Sequence, residues 1–279
     1  MTTQPSTQAP AVRLARAGLR VGTRRLWSDV DLEVPAGEFL AVVGANGSGK
    51  TSLLQVLLGL RPLTQGTVQV LGGRPRRGSH DIGYVPQQRR GDPYLPVRSR
   101  DLIAAGLTGH RWGIGWPSPE RRRRIDQALT AADATHLAEV PVGLLSGGEH
   151  QRIRIAQALV GEPDLLLCDE PLLSLDPGSQ SMVTALIDRR HREHGTTVIF
   201  VTHEINPVLP HADRVLYLGA GRGVVGTVDK VLTSQTLSRL YSAPVEVIRA
   251  GGRILVAGVP AQAEPVHNPD PATDESVRP

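Results

Sequence analysis

A lysine and a threonine close a run of glycines at Gly44-Ala45-Asn46-Gly47-Ser48-Gly49-Lys50-Thr51. The stretch satisfies G-x-x-x-x-G-K-[ST], and its chemistry is phosphate binding. Glycines let backbone N–H groups approach a phosphate chain and take up positive φ without a Cβ clash. A helix that begins here aims its unsatisfied N–H groups and positive dipole end at the anion. Lys50 can then reach the β- and γ-phosphates, and Thr51 can place its hydroxyl on Mg²⁺. Asp169 and Glu170 follow the apolar run Leu165–Cys168, where a buried strand emerges. One such carboxylate can hold Mg²⁺ through water, and the next can polarise an attacking water as a general base. His203 follows the apolar run Thr197–Thr202, and Gln87 follows Ile82–Pro86. The imidazole can touch a γ-phosphate and orient the water, while the Gln87 amide can reach Mg²⁺ or that water, with Gln88 the alternative one residue on. Ser146-Gly147-Gly148-Glu149 precedes a second helix and offers another anion-binding helix start. One nucleotide has one triphosphate, so a second cradle suggests that two chains share each ATP.

Taken singly, each group has a structural explanation: a glycine turn, a carboxylate helix cap, a histidine ending a strand. The elements around them favour the chemical one. Phe39–Val43 reads as the strand before the glycine loop, and Ser52–Leu58 as the helix after it, stopped by Gly59 and Pro62. Val12–Val34 reads as strands and turns, and Gly66–Gly73 as a strand alternating with period two. Residues 89–120 are rich in Arg, Gly, Pro and Trp and, with the helix expected over Arg121–Ala138, suggest a mostly helical insertion. His150–Val160 and residues 179–194 have helical period; Thr197–Thr202 and Val215–Leu218 read as buried strands. Apolar strands alternating with helices imply a largely parallel α/β sheet with ligands at the carboxyl ends of its strands. Short strands and a small helix, Ser234–Tyr241, follow, and the ends (1–10 and 261–279) have the polar composition of disordered segments.

The chain has 279 residues, one cysteine (Cys168) and a formal charge of +4. That length accommodates one large α/β domain, and one cysteine excludes an intrachain disulfide. The start has neither a basic n-region nor an apolar h-region, and no apolar run approaches the ~18–20 residues of a transmembrane helix. The chain is therefore expected to be soluble on its own. Lys50 and Lys230 are the only lysines, so the loop keeps a lysine where arginine is the default. Arg121-Arg122-Arg123-Arg124 points all round a helix and reads as a solvated helix start, not a nucleic-acid patch.

In this order and spacing the stations resemble the ATP-binding subunits of ABC transporters from about Val12 to Gly258. Gly44–Thr51 is similar to the family's Walker A, Gln87 to its Q-loop, and Leu145–Glu149 to its signature motif, with Glu where Gln is commoner. Leu165–Glu170 is similar to Walker B with its catalytic glutamate, Ser174-Leu175-Asp176 to the D-loop, and His203 to the switch histidine. The resemblance implies a P-loop NTPase core with a mainly parallel sheet, an antiparallel β subdomain, and a helical subdomain (about 89–160) carrying the signature motif, in an ATPase domain spanning 11–260. It implies a head-to-tail homodimer, each ATP lying between Gly44–Thr51 of one chain and Ser146–Glu149 of the other, and closure on ATP that drives a membrane permease from its cytoplasmic face. The family's adenine-stacking aromatic falls about where Val21 stands, and Trp27 is the nearest aromatic residue.

Softer segments resemble the zinc, manganese and iron importers of the family: Leu26–Leu32, Arg100–Gly106, and Val231–Val247 with Leu240-Tyr241 and Pro244–Val247. The branch implies that an extracytoplasmic binding protein and the permease handle the metal. His191 and His194, at i and i+3, then read as a solvated helix face. ABC ATPases acting on DNA or ribosomes carry long coiled-coil or zinc insertions, or two cassettes in one chain. One P-loop, one signature and one cysteine fit neither, so no nucleic-acid partner is expected. A regulatory ATPase without transport, or an importer of another substrate such as chelated iron, is the alternative.

Overall fold

The computed structural model describes residues 9–87, 96–108 and 118–258. Gln88, residues 89–95 and 109–117 of the expected helical insertion, and nearly all of the two polar ends lie outside the described residues.

The chain opens with a hairpin, β1 (Val12–Val21) and β2 (Arg24–Val34), then β3 (Phe39–Val43), α1 (Lys50–Leu57), β4 (Gln65–Val70) and β5 (Ile82–Val85). Three helices follow, α2 (Ser99–Thr108), α3 (Pro119–Ala131) and α4 (Gly147–Leu159). Then come β6 (Leu165–Asp169), α5 (Pro177–His194), β7 (Thr197–Val201), β8 (Arg214–Gly219), β9 (Arg222–Gly226), α6 (Val228–Val231), α7 (Ser234–Tyr241) and the hairpin β10 (Glu246–Ala250) and β11 (Arg253–Ala257).

The central sheet runs β5-β6-β7-β3-β8-β9, with the first five strands parallel and β9 antiparallel to β8. A separate antiparallel sheet has the order β2-β1-β4. Helices cover both faces of the parallel sheet, which is why β3, β6 and β7 are buried end to end and read as unbroken apolar runs. Successive side chains still alternate between faces. Phe39, Ala41 and Val43 enter one core with α4 and α5, while Leu40 and Val42 enter another with α1 and the antiparallel sheet. The fold is therefore the expected α/β class: parallel core, antiparallel β layer and a group of helices.

Several helix boundaries differ from the sequence expectation, and capping explains three of them. The α3 helix stops at Ala131 instead of Ala138. Asp133 adopts a left-handed conformation (φ 49°), and Ala134 N–H and Asp133 N–H bond back to Leu129 O and Thr130 O at 2.8 and 3.0 Å. This is a Schellman closure with aspartate where glycine is usual. The α5 helix starts at Pro177 because Asp176 Oδ1 accepts from Ser179 N–H at 3.0 Å, and proline suits the first helical turn. The α4 helix starts at Gly147, through a capping box formed by Ser146 and Glu149. At the start of α3, Glu120 binds Arg123 Nε and Arg124 Nε at 3.0 and 2.9 Å, so two of the four arginines are paired within their own helix.

Candidate functional site

The strand β3 delivers the chain to Gly44, whose φ is 149° and whose missing Cβ would collide with the Leu218 carbonyl. The loop ends at Gly49 (φ 94°), which caps α1. A side chain there would lie 2.8 Å from Trp27 Nε1, so two of the loop glycines are demanded by packing as well as by φ. Lys50, 5% exposed, folds its ammonium back over the loop and donates to Gly44 O at 2.8 Å and Ala45 O at 3.1 Å. Burial lowers its pKa, opposed by the nearby Glu170 and Asp169 carboxylates. Ser48 Oγ is buried without a hydrogen-bond partner. An orphaned hydroxyl inside a glycine loop fits an anion that would accept from it.

At the tip of β6, Asp169 is 1% exposed and accepts from Thr51 Oγ1 at 3.0 Å and from the Tyr84 hydroxyl at 3.4 Å. Burial raises its carboxyl pKa, against the Thr51 hydrogen bond. Thr51 and Asp169 thus form a pair of hard oxygen donors at the end of the phosphate loop, the donor chemistry that suits Mg²⁺. The next residue, Glu170, is held in the left-handed region (φ 47°) while its N–H bonds Val201 O at 3.0 Å. For a non-glycine residue that conformation costs about 1–2 kcal/mol, and such strain gathers where geometry serves chemistry. The Glu170 carboxylate is the hub of the site. It accepts from Gln87 Nε2 at 3.3 Å, lies 3.4 Å from His203 Nδ1 and 3.9 Å from Lys50 Nζ. Gln87, His203, Glu170, Lys50 and Thr51, drawn from three strand ends and one helix start, line one cleft, and Asp169 is bonded to Thr51 behind it. The amide of Gln87 points to the Glu170 side of it.

That cleft, about 790 Å³, also takes in Asn46, Gly47 and Gly49 of the loop and Val21, Arg24 and Leu26 at the β1–β2 turn. Trp27 is not part of it. Its indole is 1% exposed, packs beneath the loop and donates to Gly49 O at 3.4 Å. The nearest aromatic in sequence therefore supports the loop instead of facing a base.

Ser146, Gly148 and Glu149 border a different, smaller cavity of about 210 Å³, together with Arg152 and Ser179, and do not join the phosphate loop of their own chain. Glu149 Oε2 accepts from the Ser146 hydroxyl at 2.7 Å and its N–H at 2.9 Å, which holds the Glu149 carboxyl below its usual range. Gly148 packs so closely on α5 that a Cβ would lie 2.7 Å from Ser179 Oγ. His191 departs from the expected solvated face. It stands edge-on to Phe39 at 5.7 Å and its Nδ1 lies 3.2 Å from Thr196 O, so it closes the bottom of the sheet. Among the described residues no group of three or more His, Cys, Asp and Glu could hold a metal ion, and no helix is long and apolar enough to cross a membrane.

Sequence reasoning missed Tyr84, which alternation along β5 places on the Asp169 side, and Arg24, which the Gly22-Thr23 turn carries to the loop.

A family model described as ABC transporter matches residues 27–173. A zinc import ATP-binding protein, ZnuC, of Chelativorans sp. is 34% identical over 92% of this chain and 83% of its own length. An aliphatic sulfonates import ATP-binding protein, SsuB, of Pseudomonas putida is also 34% identical, over 86% and 90%. Among solved structures, the ATP-binding cassette MJ0796, a post-hydrolysis dimer bound to ADP and Pi, superposes with a TM-score of 0.65 at 27% identity, over 78% of this chain and 98% of its own. With the phosphate loop, the carboxylate tip and the interposed helices in this arrangement, the chain belongs to the ABC transporter family as an ATP-binding, ATP-hydrolysing subunit.

Proposed function

We propose that this chain is the ATPase of an importer and energises uptake of a metal ion (zinc, manganese or iron) through a membrane permease. The observation that carries the catalytic half is the Glu170 hub, with Gln87, His203 and Lys50 all within 4 Å of one carboxylate. Lys50 and the amides of Gly47, Ser48 and Gly49 bind and neutralise the β- and γ-phosphates, with Gly44 and Asn46 shaping the loop. Glu170 takes the proton of the attacking water as general base, and Gln87 and His203 hold carboxylate, water and γ-phosphate in register. Thr51 and Asp169, with Gln87, would hold Mg²⁺, which supplies positive charge against the phosphates when bound.

The second cradle, Ser146, Gly147, Gly148 and Glu149, lies outside the cleft of its own chain, which supports completion of each ATP site by another copy in a head-to-tail homodimer. The domain would span 11–260, with a helical subdomain of about 89–160, docked at the cytoplasmic face of the membrane against permease subunits. An extracytoplasmic substrate-binding protein would deliver the cargo.

The metal assignment is supported by the zinc-import relative and by the resemblance of Leu26–Leu32, Arg100–Gly106 and Val231–Val247. Equal identity to the sulfonate-import relative favours a second reading, an importer of another substrate. A metal-uptake assay in a deletion strain separates the two. ATPase stimulation by reconstituted permease and binding protein separates either from a regulatory ATPase.

For the mechanism, Glu170→Gln keeps size and hydrogen bonding but removes the base. Turnover should fall by about 10²–10⁴, and an ATP-bound dimer should accumulate in size-exclusion chromatography. Hydrolysis at the parent rate would overturn the role of Glu170.

A further inference from the structure

The phosphate chemistry leaves part of the cleft's lining unused: Val21, Arg24 and Leu26 at the β1–β2 turn, and Ser52, Leu173 and Arg61, whose Nε is taken by Gln55 Oε1 at 3.1 Å. Among the described residues no Phe, Tyr or Trp borders the cleft. Val21 is 41% exposed there, and Trp27 is committed to the core beneath the loop. A cleft of about 790 Å³ gives a nucleoside room beside the loop, and the β1–β2 rim, with exposed Val21 and apolar Leu26 next to Gly47, offers its base a surface.

Arg24 is fixed on that rim by the loop itself. Its Nη2 donates to Gly47 O at 3.2 Å. A Cβ built on Gly47 would lie 3.2, 3.7 and 3.9 Å from Nη2, Nη1 and Cζ, so the whole guanidinium head rests on this glycine. Gly47 (φ 74°) thus has two tasks: it takes the left-handed turn, and it leaves the space in which Arg24 sits.

We propose that Arg24 is the base platform of this ATPase, its guanidinium plane lying against the purine ring with Val21 and Leu26 as apolar flanks. The proposal rests on the ATPase reading of the same cleft. An arginine can do this while bound to Gly47, since in-plane N–H groups serve the carbonyl and the face of the plane serves the ring. The guanidinium is weakly hydrated and is attracted to the π-face of an aromatic ring. Such a platform reads ring area, not the hydrogen-bonding edge of the base, so it favours purines over pyrimidines and tolerates either purine.

The test is steady-state hydrolysis of ATP and CTP by the full chain and by Arg24→Ala, Arg24→Tyr and Arg24→Lys, with a thermal melt of each. Hydrolysis by the parent and its loss in Lys50→Met check the ATPase reading by themselves. Arg24→Ala should raise KM for ATP about tenfold, far more than it lowers kcat, and raise KM for CTP less. Arg24→Tyr should restore KM for ATP to within about threefold of the parent, and Arg24→Lys should not. An unchanged KM in Arg24→Ala overturns the proposal. So do equal penalties for ATP and CTP with rescue by lysine, which would make Arg24 a phosphate cation.

Discussion

Trp27→Phe separates a residue that supports the phosphate loop from one that stacks on a base. The indole is 1% exposed, faces the apolar layer between α1 and the antiparallel sheet, and donates to Gly49 O at 3.4 Å. Phenylalanine removes roughly 50 Å² of buried apolar area, or about 1.3 kcal/mol at ~25 cal/mol per Å². Loss of a long hydrogen bond to the residue that caps α1 adds about 0.5 kcal/mol. The sum, about 2 kcal/mol, corresponds to a fall in melting temperature of about 4–8 °C for a chain of this size. KM for ATP should stay within about threefold, because the ring never borders the cleft. A stacking contact would instead be worth about 1–3 kcal/mol, or roughly 5- to 150-fold in KM. Calorimetry and a coupled ATPase assay on the same preparation read both quantities. A KM raised more than about tenfold at an unchanged melting temperature would refute the reasoning, since it would put Trp27 on the nucleotide.

Two further substitutions probe the two cradles. Lys50→Met should lower hydrolysis by at least about a hundredfold, yet leave the melting temperature within about 4 °C of the parent. Two charge-assisted hydrogen bonds, about 1.5–3 kcal/mol each, are lost, while the several kcal/mol spent in burying the ammonium are recovered; a large loss of stability would contradict this. Glu149→Ala removes half of the capping box of α4 and should cost about 0.5–1 kcal/mol at pH 7. Because the folded carboxyl titrates below its usual range, this stability is fully present above the ordinary carboxylate pKa and is lost as pH falls through the lowered one. Thermal melts across pH should therefore show parent and variant converging in acid, and a constant gap would show that the carboxylate charge is not what caps the helix.

The phosphate site was legible because its parts are local. A glycine run, the strand before it and the helix after it are set by neighbouring residues, and so is a carboxylate pair at the end of an apolar run. The order of the parallel strands then carries Gln87, Glu170 and His203 to one edge without further instruction, since ligands of such sheets collect at the carboxyl ends. What the sequence concealed depends on contacts across the chain. Trp27 and Arg24 lie three residues apart on β2, both polar at one end and both able to cover a base. Strand alternation alone puts them on opposite faces, and it does not say which face meets Gly49 and which meets Gly47. The end of α3 was hidden for a similar reason. Asp133 occupies the left-handed position that glycine would have advertised, and buried Ala132 and Ala134 on either side keep it there. Glu170 shows the same logic at the catalytic centre. Its type and its place after Asp169 are readable from one line of sequence, whereas its positive φ requires the bond from its N–H to Val201 O on β7, thirty-one residues away in the chain. The identity of the base could therefore be inferred from the sequence, but the aim of its carboxylate is a property of the folded sheet.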